Sequence, residues 1–158
     1  MADALSNYME SGVLNLMLRA NTNSFGAPSN VSVALLRNHP AGSHPLTFTP
    51  TLGGIDVMAG DSMPEVASAG SYARASLGAP ANATWNEVST GGATSNTSAI
   101  TFGAATEHWG YVSGVALMTS LTHGAGKILF HGALTTPRDV ANGDTFKFSI
   151  GDLDITLT

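Results

Sequence analysis

Residues 142–158 read Asn142-Gly143-Asp144-Thr145-Phe146-Lys147-Phe148-Ser149-Ile150-Gly151-Asp152-Leu153-Asp154-Ile155-Thr156-Leu157-Thr158. Phe146, Phe148 and Ile150 alternate with Lys147 and Ser149, and Leu153, Ile155 and Leu157 alternate with Asp154, Thr156 and Thr158. A period of two is the mark of a strand with one face buried. Asn-Gly-Asp before the first run is a turn signal, because Asn and Gly tolerate positive φ. Gly151-Asp152 predicts a hairpin joining the two runs.

The same period recurs upstream. Val31, Val33 and Leu35 alternate with Ser32 and Ala34. Residues 72–77, Ile100 with Phe102, the small-apolar run 112–118, and Ile128, Phe130 and Leu134 supply further strands. About seven short strands separated by turn residues, with no helical pattern alternating between them, predict a mainly β fold, an antiparallel sandwich or barrel. Gly124-Ala125-Gly126-Lys127 is read as a glycine-rich hairpin turn. It ends like a phosphate loop, but Ile128 stands where that loop needs Ser or Thr.

Only the first 20 residues follow another period. Leu5, Tyr8, Met9, Val13, Leu16 and Met17 recur at three- and four-residue spacing, which predicts a helix over 3–20 with Asp3 as N-cap. Gly12 inside it costs about 1 kcal/mol relative to Ala, so close packing is expected there. The apolar face either packs on the chain's own sheet or docks on a neighbouring subunit. The chain is thus expected to be one domain over 1–158, with the N-terminal helix at 1–20 and a β domain at 25–158. Within that domain lies an irregular Pro-rich loop at 37–65 (Pro40, Pro45, Pro50 and Pro64), far longer than the usual connection.

Composition narrows the function. Seventeen of 158 residues are formally charged, or 11%, against about 25% in an ordinary soluble domain, whereas 73 are Ala, Gly, Ser or Thr. With net charge −5 and six cations, a nucleic-acid surface is not expected. No apolar run approaches the ~20 residues of a membrane span, and the start lacks the basic and apolar regions of a secretory signal. Zero cysteines exclude a disulfide framework or thiolate metal site in this chain.

No catalytic motif emerges. Five histidines, His39, His44, His108, His123 and His131, lack the i, i+4 pairing with glutamate of a zinc-protease helix and are read as loop or surface residues. Ser113 lacks the flanking glycines of a nucleophile elbow. Asp152 and Asp154 would share one face of an extended segment, but their place at a turn favours solubility over acid–base work. Three glycosylation sequons, at Asn30, Asn82 and Asn96, are read as products of composition. Trp85 and Trp109 lie in or beside loops, where an indole either anchors an interface or packs in the core. The expectation is therefore no catalytic residue, no metal and no cofactor.

The order of segments carries a resemblance. Ala4-Leu5-Ser6-Asn7-Tyr8-Met9-Glu10 opens the helix, and Val31-Ser32-Val33-Ala34-Leu35 follows. Then come Gly70-Ser71-Tyr72-Ala73-Arg74, residues 94–102, Trp109-Gly110-Tyr111-Val112, Gly132-Ala133-Leu134-Thr135-Thr136 and Asn142-Gly143-Asp144-Thr145. The chain resembles a family of small structural proteins of tailed bacteriophages, often labelled tail fibre proteins; some are similar to capsid cement, or decoration, proteins of cyanophages. It departs from that pattern at 37–65, where its loop is longer.

The resemblance implies a non-enzymatic virion component. The leading expectation is a cement protein on the capsid exterior, bridging capsomers through the major capsid protein. The alternatives are a tail or tail-fibre element contacting tail proteins, and a carbohydrate-binding sandwich module using Trp85 or Trp109. A homo-dimer or homo-trimer is expected from virion symmetry. The expected interface residues are Leu5, Tyr8, Met9, Val13, Leu16, Met17, His39, His44 and Trp85.

Overall fold

The computed structural model describes residues 4–5, 7–19, 26–37, 65–89 and 91–156. The Pro-rich segment 38–64, with His39 and His44, lies outside the described residues, as do Asp3 and Leu157. In chain order the elements are β1 (Ala4–Leu5), α1 (Asn7–Arg19), β2 (Val31–Arg37), β3 (Ala75–Gly78), β4 (Ala93–Ser95), β5 (Ile100–Thr101), β6 (Gly110–Met118), β7 (Ile128–Val140), β8 (Lys147–Phe148) and β9 (Asp154–Thr156). All pairings among them are antiparallel.

Five strands form one sheet in the order β1-β7-β6-β2-β3, and two two-stranded ladders, β4-β9 and β5-β8, complete the pairing. The five-stranded sheet has free edges at β1 and β3, so the described strands form no closed barrel. The arrangement is sandwich-like.

The central strands are buried on both faces. Val33 pairs with Leu117 and Leu35 with Val115, and these four join the main core. Ala34, Leu36, Ala116, Met118 and Ile128 form a second, smaller buried cluster. Period-two alternation puts this cluster on the opposite face of the sheet. Ser32 and Ala34, which alternation alone assigns to an outer face, are therefore buried as well.

Aromatic rings fill the space between the sheet and the short ladders. Tyr72 stacks on Phe102 at 6.2 Å and meets Trp109 edge-on at 5.4 Å, and Phe146 bridges Phe102 and Phe148. Such edge-to-face pairs add ~0.5–1.5 kcal/mol each beyond area burial.

The turns show where local chemistry and pairing part. At 141–144 the backbone N–H of Asp144 donates to Ala141 O, the Asp144 carboxylate accepts from the Ala141 N–H, and Gly143 adopts φ 91°, as the sequence predicts. The 119–127 connection is a hairpin turn between β6 and β7. There Gly126 has φ 87°, and a Cβ on it would lie 2.6 Å from Ser120 Cβ, so only glycine fits.

Gly151-Asp152 also turns, with the Asp152 carboxylate accepting from the Ser149 N–H at 2.7 Å, but the strands it joins are not a hairpin. β8 pairs with β5 and β9 pairs with β4. What ties this corner instead is Asn96, 1% exposed. Its amide donates to Ser98 O and Ser149 O at 2.7 and 2.8 Å and accepts from the Leu153 N–H at 2.9 Å. Ile150 consequently leaves the alternation and is exposed.

At the N-terminus the predicted helix 3–20 is shorter, and Ala4–Leu5 forms strand β1, paired with His131 and Phe130 of β7. Leu5 is thus placed by a sheet ladder, not by the helical face to which its spacing assigned it. Two residues of helical spacing cannot outweigh a free edge on β7 that accepts a strand.

Candidate docking surface

α1 rests on β7 and β1 through one side. Tyr8 and Met9 pack against the main core, and Gly12 between the two sides of the helix is buried. The outer side is also apolar: Leu14, Met17 and Leu18 are 58, 73 and 77% exposed, and Val13 and Leu16 are each just over a third exposed. At 100° per residue, Val13, Met17, Leu14 and Leu18 sweep one outer arc, with Glu10 inside it at its N-terminal end. A helix apolar on both sides is normally covered on both sides. The expected face thus splits: Tyr8 and Met9 serve the chain's own core, Leu16 lies beside Met9 at the edge of that side, and Val13 and Met17 turn outward.

Beside the helix lies a groove of about 1190 Å³. Met9 and Leu16 of α1 form one wall, and Leu117, Leu129, Phe130 and Ile155 line it from the sheets. Pro80, Trp85 and Val88 come from the loop between β3 and β4. Trp85 is held there by an antiparallel bridge to Asn96 and is half-buried against the core. The structure therefore gathers three expected interface residues, Met9, Leu16 and Trp85, around one concavity. Sequence reading missed its sheet-borne lining, because residues more than 100 positions apart converge only through the fold.

Trp109 does not belong to this surface. It is 3% exposed, with its indole N–H donating to Gly70 O at 2.7 Å, so it is a core residue and cannot serve as a sugar platform.

A buried polar group gathers beside the β6–β7 turn, and sequence reading did not find it. Arg74 grips Glu65 with two 2.7 Å bonds, Nε to Oε1 and Nη2 to Oε2, both side chains being buried. Its remaining nitrogen, Nη1, donates to Ser120 O and Ala125 O on the two sides of the β6–β7 turn. The Tyr72 hydroxyl donates to Glu65 and accepts from the Leu35 N–H. Burial, reinforced by the Glu65 charge, pushes the Tyr72 phenol far above its ordinary pKa. The His123 ring N–H donates to Val66 O at 2.9 Å and lies 3.8 Å from Glu65.

Every member of this group has its partners, which is the mark of a structural clamp rather than of a reactive site. Among the described residues no three His, Cys, Asp or Glu side chains gather to hold a metal.

The remaining candidates disperse. His108 donates to both carboxylate oxygens of Asp139 in an exposed pair. His131, expected in a loop or on the surface, is instead buried within β7 opposite Ala116, because strand alternation turns it inward. Asp152 sits in a turn and Asp154 in β9, so the shared strand face does not form. No helix among the described residues is long and apolar enough to cross a membrane.

What fold and surface define together is a sandwich-like β module with an exposed apolar helix face and a buried ionic clamp. Its kinship is specific: the family described as Podophage GP4 fiber I protein gp80 matches residues 4–156, and the chain belongs to that family of phage virion structural proteins. No curated protein matches the chain.

Proposed function

We propose that the protein is a non-enzymatic fibre component of a podophage virion, held to a neighbouring virion protein by the outer side of α1 and the groove beside it. The observation that carries this reading is the exposed apolar arc Val13, Leu14, Met17 and Leu18 on a chain otherwise poor in charge. Large contiguous apolar surface on a folded domain marks an interaction site. Burying Ala, Gly, Ser and Thr avoids the desolvation cost of buried charge. The family's name favours a fibre over the capsid cement role that the sequence resemblance put first.

Immunogold labelling of intact particles tests the place: label confined to the tail region is expected, and label spread over the shell overturns it in favour of cement. Particles made with Leu14→Ser and Met17→Ser test the surface, which is excluded if the protein is incorporated at full occupancy.

A further inference from the structure

We propose that the groove receives α1 of a second copy of this chain. This rests on the reading of α1 as a docking element and names its partner. Three observations converge on it.

The first is shape. A helix about 10 Å wide with a 5.4 Å pitch occupies roughly 420 Å³ per turn. The groove of about 1190 Å³ therefore holds between two and three turns, and α1 has 13 residues, or between three and four turns.

The second is surface chemistry. The outer arc of α1 offers Val13, Leu14, Met17 and Leu18; the groove is floored by the buried Leu117, Leu129 and Ile155 and offers the half-buried Phe130 and Trp85, with Leu16 and the exposed Val88 along its sides. An apolar helical ridge in an apolar groove is a standard recognition mode.

The third is charge. Among the described residues lining the groove, Glu87 alone is charged. α1 carries Glu10 in its first turn and Arg19 in its last. The incoming helix is therefore oriented with its C-terminal end at Glu87, where Arg19 meets the carboxylate and the negative end of the helix dipole stays covered by that cation. The reverse orientation sets Glu10 against Glu87. Among the described residues Arg19 donates to Asn15 on its own helix, at an exposed position, and can be recruited without opening the core. Each copy presents one ridge and one groove, so the contact is satisfied in a two-fold exchange, or head to tail in a ring or filament.

The absence of cysteine makes a direct test available. Full-length Leu18→Cys and full-length Val88→Cys proteins are mixed and oxidised. A mixed disulfide-linked pair exceeding either self-linked pair is expected, and self-linked Leu18→Cys as the main product overturns ridge-in-groove docking. Sedimentation of the unmodified chain is expected to show a concentration-dependent oligomer.

Arg19→Glu and Glu87→Arg are each expected to weaken association about tenfold, with recovery to within about threefold in the double variant. A chain monomeric at all concentrations, or a double variant no better than the singles, also overturns the proposal. If the charge exchange fails while Leu14→Ser with Met17→Ser still lowers incorporation into particles, the groove assignment falls and α1 as a virion contact stands.

Discussion

The clamp around Arg74 and the groove beside α1 occupy one sheet and solve opposite problems. In the clamp, a buried charge pair has all its polar neighbours supplied by the chain itself: Glu65, Tyr72, Leu35, Ser120 and Ala125. At the groove, a floor of buried Leu117, Leu129 and Ile155 meets the exposed Val88 and Leu16, with Glu87 as the one charged residue among the described lining. The first region is complete in the single chain, whereas the second, in the proposed assembly, supplies half of a contact. Substitutions in the clamp should therefore act on folding, and substitutions on α1's outer arc should act on association.

The largest expected effect is at Arg74. Arg74→Met strands the buried Glu65 carboxylate and frees the hairpin-turn carbonyls, and should lower unfolding free energy by about 3–5 kcal/mol in urea titration. A loss below about 1 kcal/mol would break the contrast at its root. Asn96→Ala comes next, at about 2–3 kcal/mol, since it leaves the Leu153 N–H and two carbonyls without a buried partner.

Tyr72→Phe should cost about 1–2 kcal/mol at neutral pH and change the alkaline profile as well. The folded-state pKa of Tyr72 is raised above the ordinary value of 10.0, so its contribution is intact below that value and falls as pH rises beyond it. Loss of stability above about pH 10 should be shallower in Tyr72→Phe.

The exposed His108–Asp139 pair bounds the scale from below: His108→Ala should change stability by under about 0.5 kcal/mol. Leu14→Ser with Met17→Ser should leave the unfolding free energy of the isolated chain within about 0.5 kcal/mol while abolishing association. A large stability loss in that variant would assign the arc to the chain's own fold.

The division also explains what could be read from sequence. β2, β6 and β7 were legible because Val31, Val33, Leu35 and the run 112–118 carry local apolar patterns, and the 142–144 turn because Asn and Gly are committed by their backbone chemistry. β4 was missed because Ala93-Thr94-Ser95 has no apolar alternation; it exists through pairing with β9. Gly151-Asp152 turned as expected, yet its flanking strands chose other partners, since pairing is decided by distant strands.

Glu65 and Arg74 are nine residues apart, a spacing that marks no motif, and they meet only once β2 and β3 have paired. For the site, Met9, Leu16 and Trp85 were visible as unplaced apolar residues. The groove itself was not, because its lining runs from Met9 to Ile155. His39 and His44 lie outside the described residues.

β1 has a consequence for the timing of motion. α1 is tied to the sheet by two residues of ladder, Ala4 and Leu5, and by Tyr8 and Met9, while the central strands share extended registers of six and eight pairs. Opening free energies within one protein follow such differences in contact density. Amide hydrogens of α1 should therefore exchange through a local opening well before those of β6, so the element proposed to carry the docking ridge is held more loosely than the central strands. Capture by a neighbour would then be read as slowed exchange along α1, with the protons of β6 unaffected.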